Sequence, residues 1–280
     1  MIPAAFDYRR ATSVDDALAA LAGGDAKVIA GGMSLLPLMK LRLAQPGMLV
    51  DIGRLQELKG SRATADGGWE VGALTTYTEA LEATQLDFTR ECILGIGDVQ
   101  VRNRGTVGGS ISHADPASDL PALLLALEYS AVLRSTRGDR TVPLDGFFEG
   151  AFQTGIAPDE ILVKVVRGPL AAGARGSYQK MKHPASGYSI VGVCAVVASS
   201  DGSVSHARIG ITGVGEVAYR AKAVESALMG SDGSPSAVVA AAAHAADGQT
   251  VNSDVYADRD YRSKMAEVYT RRAIDAALGR

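Results

Sequence analysis

The stretch from Arg102 to Asp119 reads Arg-Asn-Arg-Gly-Thr-Val-Gly-Gly-Ser-Ile-Ser-His-Ala-Asp-Pro-Ala-Ser-Asp. At its centre, residues 106–110 offer consecutive backbone N–H groups, and Gly108 and Gly109 carry no Cβ that would keep a ligand away. This pattern suits the close approach of a phosphate group. A Gly-Gly pair followed by serine is also typical of a tight turn, so this stretch alone leaves both interpretations open.

A second stretch with the same residue types lies near the start of the chain, where residues 30–34 read Ala-Gly-Gly-Met-Ser. Residues 27–30 predict a short buried strand before it, and residues 35–41 predict a helix after it, with Pro37 tolerated in the first turn. The N–H groups at such a helix start are unpartnered, which makes the turn a ready anion site. Two sites of this kind predict two phosphates or one diphosphate.

Composition is that of an ordinary soluble globular protein. The 280 residues are 47% hydrophobic and 21% charged, which allows a sizeable core and favours two domains. The formal net charge of −3 gives no basic surface, so we expect no nucleic-acid partner. The N-terminal residues lack the apolar run of a signal peptide, and no apolar stretch is long enough to span a bilayer. These features predict a cytoplasmic protein without a membrane span.

Metal-binding residue types are scattered along the chain. Cys92, Cys194 and the four histidines show no metal-ligand spacing. We therefore expect no metal site here, and any metal or iron–sulfur cluster would belong to another chain. No arrangement of acid, base and nucleophile stands out either, so the sequence predicts no catalytic residue.

Local patterns predict an α+β protein. Residues 13–52 predict an α–β–α–β unit, residues 87–101 one helix, and residues 119–127 another helix that Ser118 or Asp119 would cap. A hairpin is expected at 129–143, a strand at 160–165 and a linker at 170–174. Three antiparallel strands (176–181, 190–198 and 203–211) and three helices (219–229, 235–246 and 260–278) would follow, which favours a small C-terminal α+β domain.

Residues 213–218 read Gly-Val-Gly-Glu-Val-Ala and fit the dinucleotide fingerprint Gly-x-Gly-x-x-Ala. That fingerprint also requires a second strand closed by an acidic residue about 20 positions further on. The chain has a loop there, Gly-Ser-Asp-Gly-Ser-Pro at 230–235. A plain strand-to-helix turn is therefore the favoured interpretation.

With both Gly-Gly stretches placed, the chain resembles the medium, FAD-binding subunits of the molybdenum hydroxylases, which include aerobic carbon monoxide dehydrogenase, quinoline oxidoreductase, nicotine dehydrogenase and xanthine dehydrogenase. The matching motifs are residues 30–40, 49–52, 102–121, 160–162 and 261–266. The resemblance implies an FAD-binding fold of the vanillyl-alcohol-oxidase (PCMH) type over residues 1–174, with subdomains of about 1–56 and 57–174. A C-terminal flavoprotein domain would cover residues 175–280.

The resemblance also assigns a cofactor site. Both Gly-Gly turns would wrap the FAD diphosphate, Asp119 would lie near the polar chain of the flavin or cap its own helix, and Leu162 would offer a backbone contact. Lys180 or Lys182 would place a cation near the isoalloxazine, with Tyr188 beside the ring. Relatives usually carry Gln or His at the position of Met33, so a polar contact is expected to be replaced by packing. The complete set is Lys27, Val28, Ile29, Ala30, Gly31, Gly32, Met33, Ser34, Leu35, Thr106, Val107, Gly108, Gly109, Ser110, His113, Asp115, Asp119, Leu162, Lys180, Lys182 and Tyr188.

The function implied by the resemblance is that of an electron-transfer flavoprotein subunit. A large molybdopterin subunit would oxidise the substrate, and a small subunit with [2Fe–2S] clusters would relay electrons to FAD, in a dimer of heterotrimers. FAD would then reduce an external acceptor, which could be oxygen, a quinone or NAD. Two alternatives stay open, a stand-alone FAD-dependent oxidoreductase of the same fold and a flavin-free scaffold subunit.

Overall fold

The first unit of the fold is a small parallel α/β layer. A computed structural model describes residues 2–280 of the protein. The predicted α–β–α–β unit is confirmed, and an additional strand precedes it, so that three parallel strands lie in the order β1-β3-β2. Ser13 caps the first helix, because its hydroxyl accepts a hydrogen bond from the Asp16 amide at 3.0 Å. The elements are β1 (Asp7–Arg10), α1 (Val14–Leu21), β2 (Ala26–Ile29), α2 (Leu35–Lys40) and β3 (Met48–Asp51).

The second unit is a five-stranded antiparallel sheet with helices inserted between its second and third strands along the chain. The strand order is β4-β5-β10-β6-β7, so the last strand of the unit lies at its centre. A short 3-10 helix, Gln56–Leu58, leads into it. The elements are β4 (Ser61–Ala63), β5 (Trp69–Gly72), α3 (Tyr77–Ala83), α4 (Asp87–Leu94), α5 (Val99–Arg102), α6 (Val107–His113), α7 (Asp119–Ala126), β6 (Ser130–Ser135), β7 (Gly138–Pro143), the two-stranded ribbon β8 (Phe148–Gly150) and β9 (Gln153–Thr154), and β10 (Ile161–Arg167).

The single helix predicted over residues 87–101 is wrong. The chain breaks after α4 and restarts at α5, with Gly97 at a φ of +50°, where glycine carries little cost. The guanidinium of Arg102 donates to the carbonyl oxygens of Ile96 at 3.0 Å and Gly97 at 3.1 Å. In a continuous helix these two carbonyl oxygens would accept backbone hydrogen bonds. Here they accept from Arg102, which thereby stabilises the break.

The C-terminal unit begins after the connection at residues 168–174. Its sheet has the order β11-β12-β13-β14, one strand more than the three predicted. Tyr219 and Arg220, expected to open a helix, form the short strand β14 against Gly210 and Ile211, and the helix begins at Lys222. The elements are β11 (Arg175–Lys182), β12 (Ser189–Ser200), β13 (Ser203–Thr212), β14 (Tyr219–Arg220), α8 (Lys222–Leu228), α9 (Pro235–Ala242) and α10 (Arg259–Ala277).

Helix α7 joins the second and third units. All eight of its residues are buried, and the helix packs against α4 and α6 on one side and against β12 and β13 on the other. A helix that is apolar on every side is stable only when it is covered on every side. Gly210 of β13 permits the close contact, because a Cβ built on it would lie 2.0 Å from the carbonyl oxygen of Ala122.

We expect Gly210→Ala to lower the free energy of unfolding by about 1–3 kcal/mol, the usual cost of forcing an extra methyl group into a packed core. Urea denaturation followed by circular dichroism measures the change. Gly168→Ala is the matched control, since a Cβ there meets no atom within 4 Å. Equal midpoints for the two variants would contradict the close packing of α7 on β13.

Candidate functional site

The loop that follows β2 carries the free backbone donors predicted for an anion site. None of the amide N–H groups of residues 30–35 donates a hydrogen bond to an acceptor within residues 2–280. Ser34, at the N-cap of α2, makes no side-chain capping bond, and Met33 is 39% exposed. Six consecutive backbone donors therefore stay available beside the open edge of β2.

The two Gly-Gly stretches are neighbours, as a shared diphosphate requires. A Cβ on Gly31 would lie 1.9 Å from the carbonyl oxygen of Arg104 and 3.4 Å from the Cα of Gly105. Only glycine permits this approach of the first loop to the backbone that leads into the second. Gly32, the next residue, has a φ of +76°, a conformation that also favours glycine.

The second Gly-Gly stretch does not offer the run of free N–H groups that its sequence predicts. Residues 107–110 form the first turn of α6, where Thr106 caps the helix through its hydroxyl. The amides of Val107 and Gly108 donate to the carbonyls of Thr75 and Ala73 at 2.9 and 2.8 Å. The amides of residues 109 and 110 donate to Thr106 at 3.0 Å each. The expected donors are thus already used, and Gly108 serves instead to let α6 lie against Ala73, whose Cβ would be only 2.5 Å from an added Cβ.

Asp119 lies at a buried polar centre between the two large units. The residue is 4% exposed, and its carboxylate accepts hydrogen bonds from the Tyr178 hydroxyl at 2.6 Å, the Ser189 hydroxyl at 2.7 Å and the Lys180 ammonium at 2.8 Å. Burying a carboxylate is costly unless it is paired and hydrogen-bonded, and these three donors meet that requirement. Ser118 is the N-cap of α7, so the interpretation of Asp119 as a helix cap is wrong.

Burial and the charge of Asp119 also raise the pKa values of two neighbouring side chains, Tyr178 and Cys92. Burial, followed by the proximity of Asp119, raises the pKa of the Tyr178 hydroxyl well above its usual range. The same two causes, in the same order, raise the pKa of the Cys92 thiol. Tyr178 therefore stays protonated and serves as a donor to the carboxylate.

The structure distinguishes between the two candidate lysines. The side chain of Lys180 is 9% exposed and also donates to the carbonyl of Gly95 at 3.0 Å, whereas Lys182 is exposed at the end of β11. Only Lys180 thus belongs to the buried centre around Asp119. Leu162 lies in β10, paired with Leu133, and is buried in the core of the second unit.

An open cleft of about 420 Å³, here called the interdomain cleft, lies between the α6–α7 loop and the C-terminal unit. It brings together two predicted residues, Asp115 and Tyr188. His113 lies at its edge with its ring centroid 5.0 Å from that of Phe152, and burial lowers the pKa of this histidine. The cleft is lined by Asp115, Pro116, Ala117, Phe152, His183, Ser186, Tyr188, Ser189, Ile190, Gly213, Asn252, Ser253, Asp254, Tyr256 and Arg262.

Arg262 holds the C-terminal wall of the interdomain cleft. The residue is 5% exposed, and its guanidinium donates to the carbonyls of Ile190 at 2.8 Å and Gly213 at 2.7 Å, and to the carboxylate of Asp254. Gly213, the first glycine of the apparent dinucleotide fingerprint, has a φ of +83° and donates its amide to Pro116. The fingerprint segment is a turn, but it leads into β14 and not into a helix, so the predicted strand-to-helix connection is wrong.

Several residues of the site were not found from the sequence. Tyr178 shares the face of β11 with Lys180, and strand alternation from that lysine could have identified it. Arg262 lay within a motif used for the resemblance but had no assigned role. Phe152 and Tyr256 carried no sequence signal, because an aromatic residue in a loop has no periodicity that tells an exposed ring from a buried one.

No group of three or more His, Cys, Asp or Glu residues that could hold a metal ion occurs within residues 2–280. Both cysteines are buried and unpaired. No helix of the described chain has the length and apolar character needed to cross a membrane.

We expect Asp119→Asn to lower the free energy of unfolding by about 3–5 kcal/mol, because it leaves the buried Lys180 ammonium without its counter-ion. Thermal unfolding measures the effect. Asp159→Asn serves as control, since Asp159 pairs with Arg137 on the exposed surface and its loss is expected to leave the melting temperature unchanged. Similar melting temperatures for the two variants would show that the buried pair does not hold the units together.

Comparisons with known proteins identify the family of the chain. The family model described as the FAD binding domain in molybdopterin dehydrogenase matches residues 4–166, and the CO dehydrogenase flavoprotein C-terminal domain matches residues 176–277. The carbon monoxide dehydrogenase medium chain of Hydrogenophaga pseudoflava is 40% identical, with 100% of this chain and 99% of that protein covered. The 6-hydroxypseudooxynicotine dehydrogenase complex subunit alpha of Paenarthrobacter nicotinovorans is 36% identical, with 100% and 97% covered.

Solved structures show the same relationship. Carbon monoxide dehydrogenase from Hydrogenophaga pseudoflava, in a form that lacks the Mo-pyranopterin moiety, matches with a TM-score of 0.96 at 41% identity, covering 100% of this chain and 99% of that chain. Quinoline 2-oxidoreductase from Pseudomonas putida 86 matches with a TM-score of 0.92 at 31% identity, with the same coverage. The α+β fold class and the resemblance are confirmed, and the chain belongs to the family of FAD-binding medium subunits of the molybdenum hydroxylases.

Proposed function

We propose that the chain carries FAD as the electron-transfer subunit of a heterotrimeric molybdenum hydroxylase. In this role it accepts electrons from the [2Fe–2S] clusters of a small subunit and passes them to an external acceptor. The observation that carries the proposal is the run of six unpartnered backbone N–H groups at residues 30–35, which lies against the backbone of residues 104 and 105.

The free donors fit the diphosphate of FAD. Residues 30–35 include no lysine or arginine, so the oriented amides must supply the favourable electrostatics by themselves. The contact between Gly31 and Arg104 brings the backbone of both loops to the same place without an intervening side chain. Lys27, exposed on β2, adds a positive charge three residues before the first of these donors, the amide of Ala30.

The Asp119 centre fits the remainder of the cofactor. An ionised carboxylate has about four acceptor positions, and the protein uses three of them, which leaves one for a hydroxyl of the flavin's polar chain. Lys180 donates hydrogen bonds to Asp119 and Gly95, so its positive charge has a fixed position. An anionic reduced flavin ring bound close to this charge would be stabilised. In the proposed function, Asp119 therefore positions Lys180 as well as contacting the cofactor.

Bound FAD would supply the redox chemistry, and the chain's residues supply binding, orientation and electrostatics. The two domains proposed for this task are residues 1–174 and 175–280. The Asp119 hydrogen bonds connect them, because α7 belongs to the first and both β11 and β12 to the second. The ring of Tyr188 lines the cleft between them, and His113 packs against Phe152, another residue of its lining.

The names of the relatives support the proposed partners. "Medium chain" and "complex subunit alpha" each describe one part of a larger assembly. We propose a small iron–sulfur subunit and a large molybdopterin subunit as partners, in a dimer of heterotrimers located in the cytoplasm.

The FAD site is tested with Met33→Asp. A carboxylate at this exposed position would occupy the free N–H groups and repel the diphosphate, since two unit charges 4 Å apart near a protein surface interact by about 4 kcal/mol. We expect FAD affinity to fall by at least about tenfold, measured by titration of the purified chain and by its visible flavin absorbance.

Met33→Asn is the matched control, because it changes the shape in the same way and adds no charge. Its FAD affinity is expected to stay close to that of the parent chain. Equal affinities for the Asp and Asn variants would place the diphosphate elsewhere, and a parent chain that takes up no FAD would refute the proposed function.

The electron-transfer role makes a separate prediction for the complex. With Met33→Asp in the medium subunit, substrate is expected to reduce the iron–sulfur clusters as before, since neither they nor the substrate site lies in this chain. Steady-state reduction of the acceptor is expected to fall in proportion to the lost flavin. Cluster reduction is followed by electron paramagnetic resonance, and full turnover in a flavin-depleted complex would contradict the role.

A further inference from the structure

The rim of the interdomain cleft carries three exposed aromatic side chains. Phe152 is 57% exposed, Tyr188 48% and Tyr256 65%. They come from three separate segments of the chain and line one cleft. Single exposed apolar residues are normal, but several large rings gathered around a concave surface are typical of a binding site.

Phe152 is held at the rim in an unfavourable backbone conformation. Its φ is +61°, in the left-handed region that bulky residues avoid, and its amide donates at 3.1 Å to the carbonyl of Ala114, which has a φ of +50°. The ring of His113 packs against that of Phe152. Strained residues persist where the surrounding structure requires a particular position, and they cluster at ligand sites.

Tyr256 is supported in a similar way from the C-terminal unit. Its ring lies with its centroid 4.1 Å from that of His183, nearly perpendicular to it. The amide of Tyr256 donates at 2.9 Å to one carboxylate oxygen of Asp254, and the other oxygen accepts a hydrogen bond from Arg262. Each of these two rings is therefore fixed by a histidine and by a backbone hydrogen bond.

The charges of the cleft favour a neutral ligand. Its charged lining residues are Asp115, Asp254 and Arg262, and the guanidinium of Arg262 is already used by Asp254 and by backbone carbonyls. No uncommitted lysine or arginine therefore lines the cleft among residues 2–280. A dinucleotide, with its negatively charged diphosphate, would meet two carboxylates and no available cation. Asn252, Ser253 and Ser186 offer polar side chains to neutral carbonyl oxygens.

We propose that the interdomain cleft binds the external electron acceptor, and that this acceptor is a neutral, planar quinone stacked on Phe152 and Tyr256. The inference rests on the proposed function, because the cleft is useful for this purpose only beside a bound flavin. Reduction of the quinone to the quinol takes up two electrons and two protons. The anionic reduced flavin would supply both electrons and one proton, as a hydride, and water in the open cleft would supply the second proton. Tyr188, on the same rim, lies on the side where the flavin ring is proposed.

The test uses the full chain loaded with FAD, with flavin content measured first. The probe is 2,3-dimethoxy-5-methyl-1,4-benzoquinone, and NAD+ is the comparison ligand, both titrated by isothermal calorimetry. We expect the quinone to bind and NAD+ to bind more weakly or not at all. Tyr256→Ala is expected to weaken quinone binding by about tenfold, the effect of one lost ring stack, and Tyr256→Phe to retain it.

Phe152→Gly is expected to weaken quinone binding by a similar factor of about ten. Glycine accepts the positive φ, so the relief of strain offsets the extra flexibility of the unfolded chain, and the variant is expected to fold. Circular dichroism is recorded on the same sample, and a loss of binding at the parent's circular dichroism spectrum is not due to unfolding. Phe6→Ala removes an exposed ring that does not line the cleft and should leave quinone binding unchanged.

Three results would overturn the inference while leaving the proposed function intact. They are unchanged quinone binding in both ring-deletion variants, tighter binding of NAD+ than of the quinone, and loss of quinone binding on FAD loading, which would assign the cleft to the flavin itself. A chain that takes up no FAD would refute both proposals, and the flavin measurement identifies that case before any probe is added.

Discussion

The Asp119 carboxylate lies where α7 meets β11 and β12, and it accepts hydrogen bonds from Tyr178, Lys180 and Ser189. Apart from Asp119, helix α7 is apolar on every side, so apolar packing alone gives it little preference for one rotation about its axis or one position along it. A buried charge has such a preference, because moving it away from any of its three donors leaves it desolvated and unpaired. This interaction fixes the position of the N-terminal units, which carry the two Gly-Gly stretches, relative to the C-terminal wall of the cleft.

In the proposed function, three kinds of interaction recognise FAD and its reaction partner, each acting on a different part. Unpartnered amides at residues 30–35 suit the diphosphate, because they offer many donors without placing a full cation beside the ligand. Lys180 suits the flavin ring, because its ion pair with Asp119 holds the positive charge in a fixed position. The exposed rings of Phe152 and Tyr256 suit a planar neutral molecule that must arrive and leave.

The features that could be predicted from the sequence are the local ones. The strand, Gly-Gly turn and helix around residues 27–40 follow each other directly, and the pattern predicted them correctly. The second Gly-Gly stretch has the same residues in another context. Its amides are used by Ala73 and Thr75, more than thirty positions earlier, and nothing within residues 106–110 indicates that pairing. Ser189 likewise reaches Asp119 across the domain boundary, where periodicity carries no information, whereas the alternation of β11 places Tyr178 on the same face as Lys180. The two-residue strand β14 is too short to show any alternation.

Phe152 adopts a backbone conformation that glycine would adopt at little cost. Glycine would form the same turn without strain, so the turn itself gives no reason for an aromatic residue here. In the proposed arrangement, the fold accepts this local strain in order to present an aromatic ring at the mouth of the cleft.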